Sequence, residues 1–160
     1  MTEPGRTPTI MVVDDEEMVL AALRSFLELE TPYRVLSYTT PAEALQRFEE
    51  ERVDVVVADF MMPEMDGVEM LCRMREVRPH CARVLLTGYA DIDNAVRAIN
   101  EAGLYYYLRK PWENEDLALV LRNAVERSEL VNELDARISA LEDANGQLLA
   151  IRRRLIQAFL

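Results

Sequence analysis

Five side chains of this 160-residue sequence are able to do chemistry together: Asp14, Asp15, Asp59, Thr87 and Lys110. Three carboxylates brought within a few ångströms repel one another and raise each other's pKa unless a cation neutralises them. A hard divalent ion does this, and an all-oxygen site with few carboxylates suits Mg²⁺, which favours octahedral geometry and keeps several waters. A carboxylate beside such an ion, an ammonium and a hydroxyl is equipped to accept a phosphoryl group. Asp59 is then the nucleophile that attacks phosphorus. The metal, Lys110 and Thr87 neutralise the charge that spreads over the three equatorial oxygens during transfer.

Such a set works only if the chain gathers it, and the hydrophobic pattern says how. The apolar run Ile10–Val13 reads as a buried strand that stops at Asp14. A helical pattern follows from Met18 to Leu29, then a strand over 33–38, and a helix capped by Thr40 with Pro41 in its first turn. Val53–Ala58, β-branched and apolar enough to be buried on both faces, ends in Asp59. Helical spacing resumes after Asp66-Gly67, read here as a turn in which Gly67 takes a positive φ. Ala82–Leu86 closes on Thr87, a helix spans 91–102, a fifth strand covers 105–108, and Lys110-Pro111-Trp112 leads into a fifth helix. This alternation predicts a doubly wound (βα)₅ α/β fold with a parallel sheet and helices on both faces. Each of the five residues then ends a strand on one rim, where such sheets bind their ligands.

The same residues resemble a known family. Asp14-Asp15, Asp59 before Met61-Met62-Pro63-Glu64-Met65-Asp66-Gly67, Thr87-Gly88-Tyr89-Ala90 and Lys110-Pro111-Trp112 are similar to the motifs of the receiver domain of bacterial two-component response regulators, over about residues 8 to 127. The resemblance implies a flavodoxin-like fold with strand order 2-1-3-4-5 and a sensor histidine kinase as phosphoryl donor. It implies Asp59 as acceptor, Asp14 and Asp15 as the Mg²⁺-binding acid pair, and the main-chain carbonyl of Met61 as a further metal ligand. Thr87 and Lys110 would contact the phosphoryl oxygens, Thr87 and Tyr107 would form the switch, and the Lys110–Pro111 bond would be cis. One departure matters: Met61 and Tyr89 stand two residues after Asp59 and Thr87, where some family members carry polar groups that orient water. A long-lived phosphoryl group follows as an expectation.

Rival readings are weaker on chemistry. A Mg²⁺-dependent phosphohydrolase with an aspartyl nucleophile needs a second carboxylate just after the nucleophile, and Asp59-Phe60-Met61 has none. A scaffold that is never phosphorylated has no need of the intact set. Five glycines include no glycine-rich phosphate loop, so flavin or dinucleotide binding is disfavoured. A net charge of −11 disfavours nucleic acid and anionic membranes as partners, and no apolar run approaches a bilayer span. Cys72 and Cys81 lack metal-ligand spacing, as expected of reduced thiols in the cytoplasm. Of eighteen Lys and Arg residues only Lys110 is a lysine.

The receiver is assigned to residues 1–127 and a helical coiled-coil extension to 128–160. Val131, Leu134, Ile138, Leu141, Asn145, Leu148 and Leu155 fall on alternating a and d heptad positions, with Arg152 also at a. Arg137 at g and Glu142 at the following e′ suit a parallel homodimer, and Asn145 at a fixes its register. The alternative is a hairpin in which Asn145-Gly146 breaks the helix. As a coiled-coil dimer the tail would carry the switch to an effector, joined to this chain or separate.

Overall fold

In the computed structural model, which describes residues 5–88 and 92–158, five strands and five helices alternate. They are β1 (Thr9–Val13), α1 (Glu17–Glu30), β2 (Arg34–Tyr38), α2 (Pro41–Glu50), β3 (Val55–Asp59), α3 (Gly67–Val77), β4 (Ala82–Thr87), α4 (Ile92–Ala102), β5 (Tyr106–Arg109) and α5 (Asn114–Ala158). The strands form one parallel sheet in the order β2-β1-β3-β4-β5, the order the resemblance implied.

The three inner strands are buried throughout, because their residues alternate between two apolar layers. Ile10, Val12, Val55, Val57, Val84 and Leu86 face α1 and α5, where Leu23, Leu27, Leu117 and Leu121 close over them. Met11, Val13, Val56, Ala58 and Leu85 face the other way, toward Phe48, Leu71 and Met74. Edge strands β2 and β5 are only half covered.

Local chemistry fixes the helix starts. Thr40 Oγ1 accepts a hydrogen bond from the Glu43 N–H at 3.4 Å, with Pro41 as the first helical residue. Asp66 caps α3 by accepting from the Glu69 N–H at 2.8 Å. The positive φ expected at Gly67 is not there, and Glu64, at φ 73°, makes the left-handed turn instead. Gly67 is needed for space: a Cβ on it would sit 2.1 Å from the Asp59 carbonyl oxygen, because α3 starts directly beneath the end of β3.

At the opposite pole, buried Asp54 receives both guanidinium nitrogens of Arg6, each at 2.9 Å, and the Thr9 N–H at 2.8 Å. This ties the segment before β1 to the start of β3. Buried Arg83 donates to the carbonyls of Ala102 and Gly103, so the end of α4 is held by a cation where the helix dipole favours one. Helix α5 runs unbroken through Asn145-Gly146, so the hairpin does not form. It also stays attached to the receiver past residue 127. Buried Ser128 donates to the His80 carbonyl at 3.0 Å, and His80 Nε2 lies 3.1 Å from Asp135 Oδ2.

Candidate functional site

The carboxyl edge of the sheet assembles the polar set. Asp14 follows β1, Asp59 and Thr87 are the last residues of β3 and β4, and Lys110 follows β5. Parallel pairing brings these ends together: Val13 pairs with Ala58, Asp59 with Leu86, and Thr87 with Arg109. The Lys110 N–H also donates to the Thr87 carbonyl at 2.8 Å, which extends the β4–β5 ladder to the lysine, and the Lys110–Pro111 bond is cis.

Carboxylate oxygens of Asp14, Asp15 and Asp59 lie within 4.8 Å of one another. Asp14 and Asp59 are buried and Asp15 is exposed, so the cluster opens outward on one side. The Asp14 Oδ1 accepts from the Glu16 N–H at 2.9 Å, which fixes the carboxylate at the start of α1. Its Oδ2 takes Lys110 Nζ at 2.7 Å, while the same ammonium stands 3.5 Å from Asp59 Oδ1.

Burial, then the charge of Asp14, raises the Asp59 pKa from 3.8 to about 6, against the opposing pull of Lys110 and the Phe60 N–H. Burial works against the Lys110 charge too. The hydrogen bond and charge of Asp14, followed by the charges of Asp59 and Glu16, more than offset it and lift its pKa above the ordinary lysine value. Three carboxylates against one ammonium leave the cluster with an excess of negative charge. An oxygen-only set of this size and charge fits a small divalent cation that keeps part of its water shell.

Thr87 is buried on β4 beside Asp59 on β3. Tyr107 is half-buried on β5, opposite Leu85, and packs against the layer that holds Met74 and Ala98. Met61 is half exposed in the loop after β3. Tyr89, the other residue expected to obstruct water, lies outside the described residues, as do Ala90 and Asp91.

Sequence reading missed two supports of the site. Gly67 clears the backbone of Asp59, which a dense packing contact requires and no motif spells out. Arg97 on α4 reaches Asp66, the cap of α3, at 3.0 Å, a contact between residues 31 positions apart.

The profile of the response regulator receiver domain matches residues 10–122. The chain belongs to that family. Receiver similarity extends to the hydrogenase transcriptional regulatory protein HoxA of Cupriavidus necator, 37% identical over 126 residues, which cover 79% of this chain and 26% of HoxA. The C4-dicarboxylate transport transcriptional regulatory protein DctD of Rhizobium meliloti is 31% identical over 88% of this chain and 30% of its own length. The chain thus spans between a quarter and a third of these relatives. Among solved structures, the signal receiver domain of an HD domain-containing protein from Pseudomonas fluorescens is 37% identical with a TM-score of 0.75, covering 78% of this chain and 98% of that one. The beryllofluoride-activated NtrC4 receiver domain dimer is 33% identical with a TM-score of 0.70, covering 75% and 98%.

Proposed function

We propose that this receiver accepts a phosphoryl group on Asp59 from a sensor histidine kinase. The observation that carries the reading is the gathering of Asp14, Asp15 and Asp59 within 4.8 Å, with Lys110 Nζ 3.5 Å from Asp59. A carboxylate oxygen of Asp59 forms a bond to phosphorus as the phosphorus–nitrogen bond to the donor imidazole breaks, and the leaving nitrogen keeps the electron pair. Asp14, Asp15, Asp59 and the Met61 carbonyl would hold Mg²⁺, which would supply positive charge to screen the carboxylates and the incoming phosphoryl group. Lys110 turns from Asp14 toward the new phosphoryl oxygens. The receiver's own chemistry is to gain and lose this group.

The family resemblance assigns the switch to Thr87 and Tyr107, which stand on β4 and β5, the two strands beyond the acceptor on one side. The face formed by α4, β5 and α5 changes, and α5 continues into the tail as one helix. Leu134, Ile138 and Leu141 lie more than half exposed along that tail, which supports a parallel homodimer through its a and d positions. We assign the work to the cytoplasm. No helix among the described residues is long and apolar enough to cross a membrane. Control of an effector such as a transcription regulator is in keeping with the relatives' names.

The test is incubation with a small-molecule phosphodonor and Mg²⁺, read by phosphate-affinity electrophoresis. One phosphoryl per chain is expected, abolished by Asp59→Asn; incorporation that survives this substitution overturns the assignment.

A further inference from the structure

Arg83 lies at the amino end of β4, the pole of the sheet opposite Asp59, and is only 7% exposed. Main-chain carbonyls receive its guanidinium: Ala102 at 2.6 Å from Nε, Cys81 at 2.8 Å and Pro79 at 3.2 Å from Nη1, and Gly103 at 3.3 Å from Nη2. Among the described residues this leaves one N–H of Nη2 unused. Carbonyl dipoles satisfy hydrogen bonds but do not neutralise a full charge, and a buried charge is costly until an opposite one stands beside it. The neighbours of Arg83 instead carry its own sign. A Cβ on Gly103 would lie 3.1 Å from Arg75 Cζ and 3.1 Å from Arg83 Nη2, so two guanidinium groups converge over this one glycine. A third, Arg127 on α5, stands over the Tyr105 ring at 5.1 Å. Burial first, then the charges of Arg75 and Arg127, pull the Arg83 pKa below the ordinary arginine value, against the opposing effect of Cys81. The ion pairs of the described residues include none of these three arginines. Two carboxylates near this pole are engaged elsewhere, Asp54 by Arg6 and Asp135 by His80.

A cavity of about 80 Å³ lies among these groups, with His80, Arg83, Gly103, Tyr105, Arg127 and Val131 in its lining. Arg83 is buried and Arg127 exposed, so positive charge extends from the inner wall toward solvent. A water's share of liquid volume is about 30 Å³, which makes this room for one small oxyanion in place of a few waters. Clefts for drug-sized ligands begin at roughly 300 Å³, so a nucleotide does not fit. We propose that this cavity binds one small tetrahedral oxyanion such as inorganic phosphate, held between Arg83 and Arg127 with Arg75 adding its charge from beside Gly103. Guanidinium N–H groups suit such oxygens through paired, charge-assisted hydrogen bonds. The net charge of −11 does not forbid this, because exposed charges more than about 8 Å away are largely screened at physiological ionic strength. A bound anion joins α5 to β4 beside the Ser128–His80 contact, at the opposite pole from the acceptor.

The test is a proton–nitrogen NMR titration of the full chain carrying Asp59→Asn, in EDTA, with inorganic phosphate exchanged for sodium chloride at constant ionic strength. This background cannot be phosphorylated at residue 59, so the outcome is independent of the function proposed above. Expected are saturating shifts at the amides of Cys81, Arg83 and Gly103. Arg127→Gln should raise the dissociation constant about tenfold or more through loss of a charge-assisted pair. Arg122→Gln, which removes an exposed arginine of the same helix outside the cavity, should leave the constant unchanged. Shifts that never saturate, that gather elsewhere, or that weaken equally in both variants overturn the inference, since phosphate is then a general counterion. Parent-like binding by Arg127→Gln overturns it too. A stronger response to ADP than to phosphate would give the arginines to a nucleotide and overturn the argument from size.

Discussion

Lys110 Nζ lies 2.7 Å from Asp14 Oδ2 and 3.5 Å from Asp59 Oδ1, so the ammonium contacts both carboxylates and sits closer to Asp14 than to the acceptor. A compact ammonium on a flexible stem can exchange one oxygen partner for another within a small cluster; arginine's planar fork cannot do so without displacing its neighbours. Lys110→Arg should lower the phosphorylation response by about tenfold or more while far-UV circular dichroism stays unchanged. An arginine variant with the parent's response would remove Lys110 from the role assigned to it.

Asp59 gives a pH signature without cation. Its folded pKa of about 6 lies above the ordinary 3.8, so between these values the native state holds a proton that the unfolded chain has lost. Stability then falls as pH rises through that window, by about 2 to 3 kcal/mol once above it. In EDTA, Asp59→Asn should melt higher than the parent at neutral pH, with the gap closing toward about pH 4. Added Mg²⁺ should stabilise the parent and not the variant. A gap independent of pH would show that the charge of Asp59 is not strained.

Gly67→Ala should disturb stability and site together. The new methyl would meet the Asp59 carbonyl at 2.1 Å, backbone that cannot swing aside, so β3 and α3 must separate. The expected cost is about 1 to 3 kcal/mol in urea unfolding, with slower phosphoryl uptake. Unchanged uptake with lowered stability would mean that α3 alone yields.

Asp54→Ala, at the far pole, should cost about 2 kcal/mol or more, because the Thr9 N–H and the Arg6 guanidinium lose a buried acceptor. Phosphorylation per folded molecule should be unaffected. Equal urea midpoints for variant and parent would show that the pair is replaced by water at no cost.

Met61 bears on the lifetime of the modified state. An apolar side chain two residues after Asp59 cannot orient water for in-line attack, so label should persist for minutes or longer, and Met61→Asn should shorten its lifetime by about tenfold or more. Loss of label within seconds from the parent would refute this.

Much of the receiver was legible because each inner strand is short, mostly apolar and closed by a polar residue. Val55–Asp59 shows this: four apolar residues force burial, and the aspartate that follows must stop at the rim. Boundaries shifted by a residue or two, as at β5, which begins at Tyr106 rather than 105, because an edge strand is half covered and its pattern is weak. At Gly67 the sequence points to freedom of φ, whereas the lack of a side chain is what the fold uses. A turn signal in sequence does not tell which neighbour will press against it.

The sequence by itself determined the alternation of elements, the polar residues at the ends of four of the five strands and the heptad of the tail, since periodicity and residue type are local properties. Only the tertiary structure decided that Lys110 sits closer to Asp14 than to Asp59, that Gly67 lies beneath the Asp59 carbonyl, and that Ser128 and Asp135 fasten the tail to the loop at His80. These depend on distances between residues far apart in the chain, set by how two apolar layers pack across one sheet, and no spacing along the sequence records them.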